Sequence, residues 1–277
     1  MLAESQLYTF LDRKHNFLIH FFEGQKLIQE LILTHNIKGN GFSYFRDLVL
    51  SFQPMMTLLK PQEGFGVYID SEEPYFRWKI ETNWNGQMRT LMVPENLDIT
   101  PTNISGVCRF TKIPPGNKKP YTSFIELKKT PFDQVVNNIL KKSFQIDCKI
   151  TTSETSDQSF MILDLPNENI DKQPLENKIS LNEYMALINK DLQKIFKSGF
   201  NDDEKIIHAF ESLEISFINK RNILFNCPCS KERMLLTLKN LWEQNKKSFF
   251  KEGEKMIEMK CDYCKKHFCF SKEEIIQ

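Results

Sequence analysis

Four cysteines near the carboxyl terminus form two close pairs whose spacing suits metal binding. Cys227 and Cys229 flank Pro228 in a C-x-C pair, and Cys261 and Cys264 form a C-x-x-C pair. Each pair can present two thiolates from one tight turn, so four sulfurs could surround one tetrahedral ion. Soft thiolates in a closed four-ligand set favour Zn²⁺ over Mg²⁺ or Ca²⁺. The sequence therefore predicts that these four cysteines bind one Zn²⁺ in the reduced protein.

The same arrangement would make the site sensitive to oxidation. Sulfurs around a tetrahedral ion lie about 3.7 Å apart, so closing a disulfide of about 2.05 Å needs only a modest movement. We expect the disulfides Cys227–Cys229 and Cys261–Cys264, and the second should form first because its wider spacing closes a less strained ring. Each disulfide removes two ligands, so oxidation would release the ion together with the binding energy that is coupled to folding.

The other three cysteines are predicted to lie outside the site. Cys108 and Cys148 fall in strand-like runs, where a cysteine is usually a small buried apolar residue. Cys269 is an additional thiol that could join disulfide exchange, although a plain strand position is the simpler interpretation. His267 could replace a lost ligand, but four thiolates already close a zinc site. Two alternatives stay open for the cluster itself: a purely structural zinc ribbon, and a chance arrangement of thiol pairs.

The residues around the cysteines predict a small unit that depends on the metal. Ser230 is placed to cap a helix, and Ser271 with Glu274 has the spacing of a capping box for a last short helix. Residues 256–259 and 267–270 have the pattern of a hairpin. A unit with so little apolar material should owe most of its stability to the ion, because structural zinc sites couple binding to folding.

The amino-terminal residues, 1–165, predict an α+β domain of mixed helices and antiparallel sheet. Apolar residues at helical spacing indicate two opening helices, near 25–37 and 42–56, with Pro54 bending or ending the second. Short aromatic or β-branched runs then indicate an antiparallel meander, at 66–70, 75–80, 87–93, 107–113 and 123–127. A helix with Thr130 as its cap follows, and runs at 144–151 and 159–165 are expected to complete the sheet.

Residues 166–226 predict a helical linker of low stability. The stretch 166–179 is polar with two prolines and is interpreted as an exposed connector. Two short amphipathic helices are expected beyond it, near 181–195 and 202–213. Such helices are marginal alone and need a partner surface. The predicted organisation is thus an amino-terminal domain, 1–165, a metastable helical linker, 166–226, and a carboxyl-terminal zinc-binding domain, 227–277.

Composition and charge argue against several classes of partner and reaction. The 37 Lys and Arg nearly balance the 36 Asp and Glu, which leaves little net charge to attract nucleic acid or an anionic membrane. The amino terminus lacks the pattern of a secretory signal, and the most apolar run, 17–22, is too short to cross a bilayer. We therefore expect a cytoplasmic protein. The motifs of a phosphate loop, a nucleophile elbow or an open catalytic zinc site are also missing, so an enzyme is not expected.

The carboxyl-terminal motifs resemble those of the 33 kDa redox-regulated heat-shock chaperone family of bacteria. The resemblance is carried by residues 227–233, CPCSKER, and 261–270, CDYCKKHFCF, with weaker similarity along nearly the whole chain. It implies an ATP-independent holdase that binds unfolding proteins, is inactive when reduced and zinc-bound, and is activated by disulfide formation and zinc release. It also implies that zinc loss unfolds the adjoining linker, and that the oxidised form is a homodimer.

A zinc-ribbon protein that binds nucleic acid is the main rival interpretation, because the tail contains Lys246–Lys247 and Lys265–Lys266. Residues 227–277 carry 11 Lys and Arg against 8 Asp and Glu. This modest excess is a weak basis for tracking a phosphate backbone, so nucleic acid is not an expected partner.

Overall fold

The structure, a computed structural model, describes residues 2–116, 118–166, 179–245, 249–250, 253 and 255–276. The chain divides into two compact units, Met1–Phe225 and Asn226–Gln277. The strands are β1 (Gln6–Asp12), β2 (Phe17–Glu23), β3 (Gly64–Glu73), β4 (Tyr75–Asn83), β5 (Gln87–Val93), β6 (Asn103–Ile113), β7 (Tyr121–Pro131), β8 (Cys148–Thr152), β9 (Gln158–Asp164), β10 (Ser216–Asn222), β11 (Leu224–Phe225), β12 (Met256–Lys260) and β13 (His267–Ser271). The helices are α1 (Gln25–Thr34), α2 (Gly39–Phe52), α3 (Phe132–Ile139), α4 (Leu181–Ser198), α5 (Asp203–Glu211), α6 (Lys231–Gln244) and α7 (Lys272–Ile276).

The α+β fold class is confirmed, and so is the antiparallel meander. Strands β3 to β7, with β11 at one edge, form a six-stranded sheet in the order β11-β5-β4-β3-β6-β7, which we call the meander sheet. Its strands alternate between buried and exposed residues, as β4 does from Phe76 to Thr82, because one face meets the core and the other meets solvent. The α-helix α2 ends at Phe52 and continues as a 3₁₀ turn, so Pro54 ends the α-helix as the sequence predicted.

The prediction that two helices open the fold is wrong, because β1 and β2 precede them. These strands belong to a second sheet of order β10-β1-β2-β9-β8, which we call the covered sheet. Strands β8 and β9 also lie in the covered sheet, so they do not complete the meander as expected. Every residue of β2 except Leu18 is buried, since both faces of the covered sheet are packed. A strand buried on both faces lacks the period-two signal that identifies strands from sequence.

The covered sheet separates two hydrophobic clusters within the larger unit. Leu7, Phe22 and Met161 point into the cluster that also holds α1, α2 and the inner face of the meander sheet. Residues on the opposite face of the same strands, such as Phe10 and Ile162, belong to a cluster completed by α4 and α5. The covered sheet is therefore the middle layer of this unit.

The segment from α4 to β11 packs against the rest of the larger unit through both apolar and polar contacts. Strand β10 pairs with β1, and the two-residue β11 pairs in parallel with β5. The Tyr184 hydroxyl of α4 donates to the buried Asp12 carboxylate at 2.8 Å, and the Tyr8 hydroxyl donates to Asp203 of α5 at 2.5 Å. Helices α4 and α5 are present as predicted, whereas neither β10 nor β11 was predicted. The expected connector at 166–179 lies almost wholly outside the described residues.

The smaller unit contains α6, the β12–β13 hairpin and α7. Ser230 accepts a hydrogen bond from the Arg233 amide and caps α6, and Ser271 and Glu274 exchange the hydrogen bonds of a capping box at α7. These predicted caps and the predicted hairpin are confirmed. Only Leu238, Phe270 and Ile275 form the buried part of the described core. In the part of the chain that the structure describes, no helix combines the length and apolar character needed to span a membrane.

Candidate metal centre

The structure brings the sulfurs of Cys227, Cys229, Cys261 and Cys264 into one cluster. The Cys227 and Cys261 Sγ atoms are 3.7 Å apart, and the Cys229 and Cys264 Sγ atoms are 3.2 Å apart. All four sulfurs lie within 4.8 Å of one another. Four thiolates at about 2.3 Å from a tetrahedral Zn²⁺ would be separated by comparable distances. The four cysteines are thus placed to hold one metal ion, and among the described residues they are the only group of His, Cys, Asp and Glu so placed.

Backbone hydrogen bonds shape the turn that carries the C-x-x-C pair. The Cys261 amide donates to the Lys266 carbonyl at 2.9 Å, and the Lys265 amide donates to the Cys261 carbonyl at 2.9 Å. Lys265 takes a left-handed backbone conformation with φ of 60° at this point. The turn leaves β12 at Lys260 and enters β13 at His267, so the hairpin positions Cys261 and Cys264. Neither lysine is recognisable from sequence as part of the site, because both contribute through the backbone.

The thiols of Cys227, Cys229 and Cys261 differ in acidity. Burial raises the pKa of Cys227, and burial together with the Cys264 side chain raises the pKa of Cys229. Burial also opposes ionisation of Cys261, but the amides of Cys264 and Tyr263 donate hydrogen bonds to its sulfur and lower its pKa. Amide hydrogen bonds thus make the Cys261 thiol more acidic than the thiols of Cys227 and Cys229.

The remaining cysteines are not part of the four-sulfur group, as the sequence predicted. Cys108 and Cys148 are buried, and burial raises the pKa of each thiol to about 12. Cys269 is exposed on β13 opposite Glu258. His267 contacts Glu258 through Nδ1 at 2.5 Å. The hairpin thus places His267 beside a carboxylate, and it is not part of the four-sulfur group.

The fold and the cysteine cluster define an α+β protein whose smaller, carboxyl-terminal unit carries a four-thiol metal centre. A family model described as Hsp33 protein matches residues 5–271. The chain belongs to the Hsp33 family, which is a family of chaperones and not a class of enzymes. The resemblance inferred from the cysteine motifs is therefore confirmed.

Individual relatives extend this similarity over most of the chain. The 33 kDa chaperonin of Citrifermentans bemidjiense is 23% identical over 234 residues, which cover 80% of this chain and 78% of that protein. The 33 kDa chaperonin of Escherichia coli O7:K1 is 21% identical over 262 residues, covering 90% and 86% of the two chains. The solved structure of the 33 kDa chaperonin from Thermotoga maritima matches with a TM-score of 0.70 at 13% identity, covering 99% of this chain and 97% of that one. The last match shows a shared fold.

Proposed function

We propose that this chaperone is an ATP-independent holdase controlled by oxidation of Cys227, Cys229, Cys261 and Cys264. In the reduced state these residues would hold one Zn²⁺ and the protein would be inactive towards unfolding proteins. Disulfides Cys227–Cys229 and Cys261–Cys264, with loss of the ion, would activate it. The observation that carries this proposal is the cluster of four sulfurs within 4.8 Å of one another, in a unit whose described core buries only three apolar side chains.

The smaller unit has the properties expected of a switch. When bound, a zinc ion would link the C-x-C turn to the β12–β13 hairpin and neutralise part of the thiolate charge. Each disulfide forms when two thiols lose two protons and two electrons to an oxidant; with hydrogen peroxide, two molecules of water are the other product. Both thiols of a pair then cease to be ligands, so the small apolar core would have to hold the unit alone. Small cores without a metal or a fastening disulfide are marginal.

The client-binding surface is proposed to arise from the metastable linker, residues 166–226, and the face that it covers. Helices α4 and α5 bury aromatic residues of the covered sheet, among them Phe10, Phe17 and Phe21. Separation of these helices would expose a broad apolar surface, which is suited to the apolar segments of unfolding proteins. We also propose that the oxidised form is a homodimer, and that the protein acts in the cytoplasm.

Light scattering from a heat-unfolded client protein tests this proposal, with zinc release followed in the same samples. Reduced, zinc-loaded protein should leave aggregation unchanged, and peroxide-oxidised protein should suppress it after releasing one ion per chain. Suppression by both forms would remove the switch from the proposal. Salt-sensitive binding of an oligonucleotide without any suppression of aggregation would support the nucleic-acid alternative instead.

A further inference from the structure

The two cysteine pairs are held by different means. The C-x-x-C turn is closed by its own backbone, through the Cys261 and Lys265 amides. Among the described residues, the C-x-C turn has no equivalent hydrogen bond between a backbone amide and a backbone carbonyl. Pro228 sits between its two ligands and has no amide proton to offer. The C-x-C turn is held by the Cys229 amide, which donates to the Cys227 sulfur, and by a side chain.

Arg233 supplies that side chain. Its guanidinium Nη1 donates to the Pro228 carbonyl at 2.8 Å, and its backbone amide donates to the Ser230 hydroxyl at 3.3 Å. The two hydrogen bonds end on the residues immediately before and after Cys229. Arg233 thereby brackets one cysteine of the cluster from the first turn of α6.

The start of α6 is itself anchored, so Arg233 acts from a fixed position. Lys231 forms an ion pair with Glu274 of α7 at 2.7 Å, and its ammonium lies 5.7 Å from the centre of the Phe270 ring. The capping hydrogen bond to Ser230 fixes the same turn. These contacts hold the first turn of α6 in place. The hydrogen bond from Arg233 to the Pro228 carbonyl therefore restrains the peptide between Cys227 and Cys229.

We infer that Arg233 is a positioning residue for the metal centre, which preorganises Cys227 and Cys229 by holding the peptide between them. The inference rests on the proposed four-thiolate zinc site. Groups that orient metal ligands commonly change metal affinity by about 10-fold to 100-fold when they are removed. Because Arg233 is exposed, we expect the lower end of that range. The looser turn should also allow Cys227 and Cys229 to approach each other more readily, so their disulfide should form earlier relative to Cys261–Cys264.

The test uses the full-length reduced chain and three variants: Arg233→Ala, Arg233→Lys and Lys239→Ala. Zinc affinity is measured by competition with a chromophoric chelator, and the thiolate-to-metal absorption of the cobalt-loaded protein reports the ligand set. Arg233→Ala should bind zinc about 10-fold more weakly while keeping the four-thiolate cobalt spectrum. Arg233→Lys retains a cationic donor and should recover part of the affinity. Lys239→Ala removes an equal charge farther along α6 and should match the wild type.

Two outcomes would overturn the inference. One is an Arg233→Ala protein with wild-type zinc affinity and unchanged order of disulfide formation by peptide mass mapping. The other is an equal loss of affinity in Lys239→Ala, which would assign the effect to helix charge. Circular dichroism of the metal-loaded variants checks that α6 is intact. None of these measurements involves a client protein, so failure of this inference is distinguishable from failure of the proposed chaperone switch, which the aggregation assay decides.

Discussion

The two units of this protein are stabilised in different ways. The larger unit builds two hydrophobic clusters on opposite faces of the covered sheet, and its largest buried side chains include Trp78, Tyr184 and many phenylalanines. The smaller unit buries Leu238, Phe270 and Ile275, and its described core is otherwise only partly covered. Apolar burial can sustain the first unit, because the buried fraction of a chain grows with its size. The second unit requires a further source of stability, and its four clustered thiols can provide one through a metal.

Cys261 of the smaller unit differs in acidity from the cysteines of the larger unit. Cys108 and Cys148 lie in the larger unit, where burial raises their pKa to about 12 and keeps them protonated. Cys261 lies in the smaller unit, where amide hydrogen bonds lower its pKa despite burial. Thiolates are the reactive form of cysteine towards oxidants. Among the cysteines whose pKa is shifted, we therefore expect Cys261 to react first with an oxidant.

Metal removal should give the largest loss of stability, and this loss should be confined to the smaller unit. If the smaller unit stayed folded without a metal, the proposed difference between the two units would be wrong. Chelation of the reduced protein should abolish hydrogen-exchange protection in β12 and β13, while β2 and β9 remain protected. The expected loss is the binding energy of a structural zinc site, about 10–16 kcal/mol in small zinc-dependent units. Hydrogen exchange resolved by peptide measures both regions in one sample. Equal protection of the hairpin with and without the chelator would show that the smaller unit does not depend on a metal.

Truncation of Phe210 should give the next largest effect, because α5 is expected to contribute to the stability of the larger unit. The Phe210 ring is fully buried and stacks on Phe10 with the ring centroids 4.1 Å apart. Phe210→Ala should lower the free energy of unfolding by about 3–5 kcal/mol in urea denaturation. Phe124, which is 70% exposed on β7, provides the control. Phe124→Ala should change the free energy of unfolding by no more than about 0.5 kcal/mol.

The same urea denaturation curve tests whether the proposed linker, residues 166–226, unfolds separately from residues 1–165. A single transition that shifts with Phe210→Ala would show that α4 and α5 unfold together with the rest of the larger unit. A separate transition at low urea, confined to residues 181–225, would instead support the proposed metastable linker. The proposed division into residues 1–165, 166–226 and 227–277 is thereby decided by experiment.

The smallest effect is expected from pH, through the contribution of Glu23 to the free energy of unfolding of the larger unit. Burial raises the pKa of Glu23 from 4.5 to about 7, although the Gln25 amide opposes the shift. Because the folded pKa exceeds the unfolded pKa, the folded state favours the protonated acid. The contribution of Glu23 to stability is therefore greatest below about pH 4.5 and declines as the pH rises to about 7. Glu23→Gln should remove this decline and raise the free energy of unfolding near pH 8 by roughly 1–3 kcal/mol.

Urea unfolding at about pH 5 and about pH 8 measures this difference. Glu126 is exposed on β7 and gives a matched control, since Glu126→Gln removes the same charge from solvent. Equal pH dependence in the wild type and in Glu23→Gln would assign the effect to other groups. The pH dependence of the unfolding free energy that remains in Glu23→Gln comes from groups other than Glu23.

The smaller unit was the more predictable of the two because its signals are local. Ser230, Ser271 and Glu274 form their predicted caps within one helical turn, and the hairpin strands are separated by the C-x-x-C turn itself. The larger unit was less predictable. Strand β10 carries Asn219, Lys220 and Arg221 at exposed or half-buried positions, so its sequence has little apolar pattern. Its strand conformation comes from pairing with β1, more than 200 residues earlier in the chain.

The sequence by itself determined the chemistry of this protein: the types of the four clustered residues, their spacing, and the family to which the chain belongs. These are properties of short segments, whose geometry is set by neighbouring residues. Only the tertiary structure decided that β2 is a strand covered on both faces and that β8 and β9 lie in the same sheet as β2. Those features depend on contacts between segments that the sequence does not place together, because packing and strand pairing override local preference.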